Sequence, residues 1–338
     1  MEPLDVLVMT PVFDKSMPSA DDETLRRIAA VSPRIAARDG SALFSAELRG
    51  DEHAREQLDE LLARAEVVYG LFLPPDLCSR APRLKWVQTM SAGVDRFAET
   101  DIWQSPVMLT GVSGIHATPI GEFLLGLMLM FAKKAPLGFR MRQEREWQRY
   151  LPTVLRGKTA GIVGLGAIGR EVARLSKAFG MRVIATRRSA RKETRSRYAD
   201  RVLPPERLAE LLAESDYVAL TLPLTPETRG IIGEKELNAM KPTAVIINIG
   251  RGGLIDEAAL VSALEEKRIT GAGLDVTAIE PLPVDSRLWD LDSVILSPHI
   301  AGGMEDYEAR ATDIFCDNLE RYINGKRLRN VIDKKKGY

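Results

Sequence analysis

Four stretches of this chain carry residue types that can do chemistry together. The first is Gly164-Leu165-Gly166-Ala167-Ile168-Gly169. Its glycines are spaced to turn the backbone tightly, admit a pyrophosphate and pack a helix on a strand. Phosphates held there rest on a helix N-terminus, with Ala167 and Ile168 in its first turn, where free N–H groups and the dipole favour anions. The apolar run 160–163 before it and Ile168, Val172, Leu175 and Phe179 after it give strand, turn and helix in the order dinucleotide binding needs. A second strand, 182–186, ends in Arg187-Arg188, with Arg191 and Lys192 close behind. An acidic residue at that point bonds the ribose 2′-OH of NAD, whereas arginine accommodates the 2′-phosphate of NADP. A guanidinium grips phosphate through two parallel hydrogen bonds and stacks on adenine, so the cluster predicts NADP(H) as the preferred cofactor with NAD(H) also accepted. The plainer reading is a solvated basic loop.

The other three stretches are Asn248-Ile249-Gly250-Arg251-Gly252-Gly253, then Leu274-Asp275-Val276 followed by Glu280-Pro281-Leu282-Pro283, then Ser297-Pro298-His299-Ile300-Ala301-Gly302-Gly303. Each follows an apolar run that reads as a strand, and ligands of open α/β sheets bind at strand C-termini. Reducing a carbonyl with a nicotinamide takes a hydride for the carbonyl carbon and a proton for the developing alkoxide, and an acidic substrate also takes a cation for its carboxylate. An imidazole titrates near neutrality, which suits His299 to proton transfer. A carboxylate on the far ring nitrogen favours the imidazolium, a role for Glu280. Arg251, always charged and fork-shaped, can hold carboxylate and carbonyl oxygen together. Alone, His299 would read equally as a structural residue, Glu280 as a surface carboxylate and Arg251 as a turn cation. Their appearance at three successive strand ends favours catalysis.

Together with Ser91-Ala92-Gly93-Val94-Asp95, these motifs resemble the D-isomer-specific 2-hydroxyacid dehydrogenase family, of the NADP-type glyoxylate/hydroxypyruvate reductase kind, over roughly residues 67 to 325. The resemblance implies a catalytic triad of Arg251, Glu280 and His299. It implies that Ser91, Ala92 and Gly93 bind the substrate carboxylate, where a glycine also lets exposed N–H groups approach a ligand; a simple tight turn is the alternative. Asp275 resembles the residue that bonds the nicotinamide carboxamide. Leu222-Pro223-Leu224-Thr225 with Thr228 resembles the loop under the cofactor ribose and phosphates, and Ile249-Gly250 the backbone near the nicotinamide ribose. In His116-Ala117-Thr118-Pro119-Ile120-Gly121-Glu122 the family places nicotinamide contacts, here at Thr118; a structural reading makes Thr118 an N-cap with Pro119 at the first helical position. His116 can touch substrate without being catalytic. A homodimer is also implied.

The elements that position these residues form two α/β domains. Runs 4–9, 42–44, 66–71 and 86–89 read as strands of a first parallel sheet. Runs 160–163, 182–186, 217–220, 244–248, 271–275 and 294–297 read as six strands of a second. The expected architecture is a flavodoxin-like substrate domain, residues 1–112 and 300–338, and a Rossmann dinucleotide-binding domain, residues 113–299, both doubly wound, with a cleft between. A helix from about 305 to 323 is expected to return to the first domain. A nearly all-apolar helix, 119–131, is expected to be buried between domains or at a dimer interface. Trp147 reads either as closing over the cleft or as an exposed aromatic of a dimer arm.

Composition bounds the rest. The 338 residues exceed one ordinary core, and 47 basic against 47 acidic residues leave no net charge to argue for nucleic acid or membrane partners. Only Cys78 and Cys316 occur, far apart, which suits a reducing, cytoplasmic setting and no disulfide framework. Met1 to Asp5 lacks signal-peptide character, no metal cluster is evident, and Lys334-Lys335-Lys336 reads as a frayed, solvated end. Substrate choice is left to the shapes around Leu71-Phe72-Leu73, Ser91 and Trp147. Two rivals accompany this reading: a formate-type dehydrogenase on the same scaffold, which typically carries glutamine where this chain has Glu280, and a dinucleotide-sensing corepressor-like scaffold that works by binding partners.

Overall fold

The computed structural model describes residues 3–10 and 22–337. Met1 and Glu2, on which the leader expectation partly rests, lie outside the described residues. The chain divides into two compact units, Met1–Ile115 with Met304–Tyr338, and His116–Gly303. These divisions fall a few residues beyond the 112–113 and 299–300 boundaries read from sequence.

The first unit is a five-stranded parallel sheet of β1 (Leu4–Met9), β2 (Ile35–Asp39), β3 (Val67–Gly70), β4 (Trp86–Thr89) and β5 (Met108–Thr110), in the order β2-β1-β3-β4-β5. This is the flavodoxin-like doubly wound order. The central strands are buried along their length, as parallel strands covered on both faces must be. The strand expected at 42–44 is instead a helix, Ser41–Glu47. Three apolar residues cannot distinguish the two states, and burial of Ser41 and Phe44, one helical turn apart, follows the helical period. Strand pairing falls on Ile35–Asp39, which as an edge strand exposes Arg38 and Asp39 and so lacks an apolar run. The C-terminal helix Tyr307–Ile323 packs on this sheet. Phe315 stacks on Tyr69 with ring centroids 4.2 Å apart, and Asn318 Nδ2 donates to Gln88 Oε1 at 3.0 Å. Lys334 departs from its reading as a frayed end. Its Nζ donates to the carbonyls of Ile102, Ser105 and Val107 at 2.6, 2.9 and 2.7 Å, which orphaned helix-end and loop carbonyls reward.

The second unit is a seven-stranded parallel sheet of β6 (Thr159–Val163), β7 (Arg182–Thr186), β8 (Arg201–Leu203), β9 (Tyr217–Leu220), β10 (Val245–Asn248), β11 (Gly271–Leu274) and β12 (Val294–Leu296). Its order, β12-β11-β10-β9-β6-β7-β8, is the dinucleotide-binding one extended by a strand. The sequence reading lacks β5 in the first sheet and β8 in this one, both three-residue edge strands with no periodicity to read, β8 beginning with an arginine. The apolar helix spans Ala117–Ala132 and packs within this unit on the helix Ala167–Ala178; a Cβ at Gly121 would meet Glu171 Cγ at 2.8 Å, so glycine permits their close approach. Because the helix starts at Ala117 with His116 preceding it, Thr118 is not its N-cap and Pro119 is its third residue.

Candidate active site

The candidate residues of the second unit lie in the loops that follow strand C-termini or in helices beside them. The turn after β6 meets the three demands placed on its glycines. Gly164 has φ +106°, in the left-handed region. A Cβ on Gly166 would meet nothing within 4 Å, which leaves its exposed backbone open to a phosphate. A Cβ on Gly169 would lie 2.1 Å from the Gly164 carbonyl, so only glycine lets the helix start against the turn. Ala167 and Ile168 form its first turn, half-buried. Thr221 Oγ1 donates to Gly164 O at 2.6 Å and ties the turn to β9. The fit for a dinucleotide pyrophosphate is good on these grounds.

Arg187 and Arg188 follow β7 directly and are both exposed. On the β9 loop, Leu222 packs against Gly164, and Pro223 is exposed. The Thr228 hydroxyl donates to Pro223 O at 2.7 Å and accepts from Thr225 N at 2.8 Å, so it shapes its own loop. A Cβ on Gly250 would meet Leu222 O at 2.9 Å, which brings the β9 and β10 loops together beside buried Ile249.

Arg251 is held from behind. Buried Asn248 accepts from Gly250 N at 3.0 Å and donates to Arg251 O at 2.9 Å, and Arg251 Nη1 donates to Gly250 O at 2.8 Å. At Gly252 a Cβ would lie 1.8 Å from Thr277 O, so the Arg251 turn and the loop leading to Glu280 pack backbone to backbone. Glu280 accepts from Thr277 N at 3.2 Å through Oε1 and faces His299 Nδ1 at 2.8 Å through Oε2. The side chains of His299 and Glu280 are 49% and 40% exposed, so the pair is open to a ligand.

His299 has φ +56°, a backbone state that costs energy outside glycine and persists only where neighbours enforce it. The enforcing group is Asp275, 2% exposed. Its carboxylate accepts from Ser297 Oγ at 2.7 Å, Ile300 N at 2.9 Å and Ala301 N at 2.9 Å, and its carbonyl accepts from His299 N at 2.8 Å. Both carboxylate oxygens of Asp275, the residue that the resemblance assigns to the nicotinamide carboxamide, are also bonded by the turn that carries His299. Asn248 and Asp275 are thus supports that spacing alone did not reveal.

Near this cluster, His116 packs against Gly302, where a Cβ would lie 2.8 Å from the ring. Burial, then the charge of Arg251, lowers its pKa to about 4, so its imidazole is neutral. Thr118 is exposed. Ser91, Ala92 and Gly93 follow β4 in the first unit, half-buried, with Ser91 Oγ donating to Gly93 O at 2.8 Å. Trp147 is fully exposed. Among the described residues no helix is long and apolar enough to cross a membrane.

Known proteins match this arrangement. Residues 125–301 fit the model of the D-isomer specific 2-hydroxyacid dehydrogenase NAD-binding domain. The chain is 34% identical to a glyoxylate reductase of Aeropyrum pernix, over 84% of this chain and 88% of that one. It is 38% identical to a glyoxylate/hydroxypyruvate reductase B of Pectobacterium carotovorum, over 80% and 87%. Among solved structures, a D-isomer specific 2-hydroxyacid dehydrogenase from Xanthobacter autotrophicus in complex with NADPH and MES superposes with a TM-score of 0.83 at 28% identity, covering 100% of both chains. An NADPH-dependent glyoxylate/hydroxypyruvate reductase from Sinorhizobium meliloti in complex with NADP and sulfate gives 0.81 at 28% identity, covering 99% of this chain and 100% of that one. With both sheet orders, the glycine turn and the strand-end cluster in place, this chain belongs to the D-isomer specific 2-hydroxyacid dehydrogenase family and is an NAD(P)-dependent oxidoreductase.

Proposed function

We propose that the protein reduces a small 2-keto acid, such as glyoxylate, hydroxypyruvate or a branched homologue, to the D-2-hydroxy acid, with NADPH preferred over NADH. The observation that carries this reading is the 2.8 Å contact between His299 Nδ1 and Glu280 Oε2 at a strand end next to the Arg251 turn. NADPH, when bound, supplies the hydride.

The residues of the chain do the rest. With Nδ1–H donated to the Glu280 carboxylate, the other ring nitrogen, Nε2, is the one directed to substrate, and His299 delivers its proton from there to the developing alkoxide. Glu280 fixes the ring orientation through its contact with Nδ1. Arg251 holds the substrate carboxylate and polarises the carbonyl, its backbone fixed by Asn248. In the reverse direction His299 is the base. Glu280 also weighs against formate-type chemistry, which needs no acid. Arg187 and Arg188, exposed where an acidic residue would serve NADH, support the NADPH preference. Leu222, Pro223, Thr228, Ile249, Gly250 and Thr118 line the proposed path of the dinucleotide.

The exposed apolar side chains Trp147, Leu151 and Val154 support a homodimer, and two free cysteines suit the cytoplasm. The function is tested by incubating the purified protein with NADPH and a panel of 2-keto acids. Cofactor oxidation with at least one of them is expected; none with any would overturn the enzyme reading and favour a dinucleotide-sensing scaffold.

A further inference from the structure

The segment between β7 and β8 carries an uneven distribution of charge. From Arg187 to Asp200 it has six basic residues, Arg187, Arg188, Arg191, Lys192, Arg195 and Arg197, and two acidic ones, Glu193 and Asp200, of which Asp200 accepts from Lys177 Nζ at 2.9 Å and from Val183 N at 2.8 Å. The Glu193 carboxylate, beside Arg191 and Lys192, would ordinarily be drawn to them. It is held elsewhere. Arg201, the first residue of β8, takes Glu193 in a two-pronged grip, Nε to Oε1 at 2.6 Å and Nη2 to Oε2 at 2.9 Å. Arg207 Nη1 adds a bond to Oε2 at 2.8 Å.

The grip is itself anchored. Arg201 also donates to Glu210 and Glu214 of the helix Leu208–Glu214, and Arg207 donates to Glu210 at 2.7 and 2.6 Å. With a side chain only 19% exposed, Arg201 is the least exposed member of this network. Thr194 and Val202 exchange backbone bonds of 2.9 and 2.8 Å, folding the segment back so that Glu193 reaches β8. The guanidinium bonds from Arg201 and then Arg207 hold the Glu193 carboxyl down at about 2. Among the described residues, Arg187, Arg191, Lys192 and Arg195 have no carboxylate within ion-pair distance.

We infer that Arg201 is a specificity-determining positioning residue: by capturing Glu193 it keeps that carboxylate away from Arg191 and Lys192, and so leaves these two cations available for the 2′-phosphate of NADPH. Arg201 does not touch the cofactor. It acts by removing a competitor, and its loss leaves Glu193 with the single bond from the more exposed Arg207, so that Glu193 swings toward Arg191 and Lys192, where it repels the phosphate and occupies its partners. The inference rests on the proposed NADPH preference.

The test compares KM for NADPH and for NADH, at saturating keto acid, in wild type, Arg201→Met, Glu193→Gln and the double variant. Arg201→Met is expected to raise the NADPH KM about tenfold, to leave the NADH KM within about twofold, and to spare kcat. The double variant should return most of the NADPH affinity, because residue 193 then carries no charge to compete; a purely structural role for Arg201 predicts no such rescue. An NADPH-to-NADH ratio unchanged by Arg201→Met, or equal loss for both cofactors without rescue, overturns the inference while the wild-type preference stands. A wild type that prefers NADH overturns the underlying reading instead. Should Arg201→Met fail to fold, Arg201→Lys keeps one charge but loses the fork, and an NADPH KM raised about threefold is expected, with no change counting against the proposal.

Discussion

The two ends of the seven-stranded sheet solve different problems. At β11 and β12, Glu280 and His299 meet at 2.8 Å, and Asp275 spends four hydrogen bonds on the turn between them and the strand. At β7, Arg187 and Arg188 stand exposed, and the order around them comes from backbone bonds and from ion pairs on β8. Proton transfer demands hydrogen-bond geometry, so the first end is built by short directional contacts to buried groups. Attraction between a phosphate and a cluster of cations falls off gradually, so the second tolerates side chains that find their ligand. The first end should therefore govern turnover and the second affinity.

The largest effect that can break this contrast is His299→Ala. It should lower kcat about a thousandfold while the NADPH dissociation constant stays within about twofold, measured by steady-state rates and cofactor fluorescence titration. Retained turnover would remove His299 from the chemistry. Next comes Asp275→Ala, which leaves Ser297 Oγ and two backbone N–H groups without their buried acceptor. A loss of about 3 kcal/mol in unfolding free energy is expected from denaturant titration, together with reduced kcat because the His299 turn loosens. An unchanged midpoint would show that the turn holds itself. Replacing Arg187 and Arg188 by serine should cost about 2 kcal/mol of NADPH binding, or about 30-fold in KM, with NADH nearly unaffected; equal effects on both would return the pair to the status of a solvated loop.

The smallest effect concerns His116. Its folded pKa of about 4 lies below the usual imidazole value of about 6.5. Between these values the unfolded chain binds the extra proton, so stability is full above about pH 6.5, falls as pH drops toward about 4, and is flat below that. Going from about pH 7 to about pH 5 should cost about 1–2 kcal/mol that a His116→Asn variant does not lose. Parallel pH profiles for the two proteins would contradict the burial account.

Much of this architecture was legible in the sequence because its signals are local. The glycine turn needs three residues at fixed spacing, and Gly164, Gly166 and Gly169 each serve the distinct purpose that spacing implies. The long apolar strands could be read for the same reason. What escaped was either short or non-local. β8 and β2 are edge strands with polar faces, which periodicity cannot detect, and 42–44 was too brief to tell helix from strand. The service of Asp275 to residues more than twenty positions later, and the capture of Glu193 by Arg201, depend on pairings that only the folded chain makes.

The central claim, hydride reduction of a 2-keto acid with a proton from His299, is tested most directly by following the label. Wild-type protein is given hydroxypyruvate and NADPH carrying deuterium at the transferring position of the nicotinamide, and the product is resolved by chiral chromatography with mass detection. The account predicts D-glycerate with deuterium at C2. Unlabelled product, the L enantiomer, or NADPH left unconsumed would contradict it.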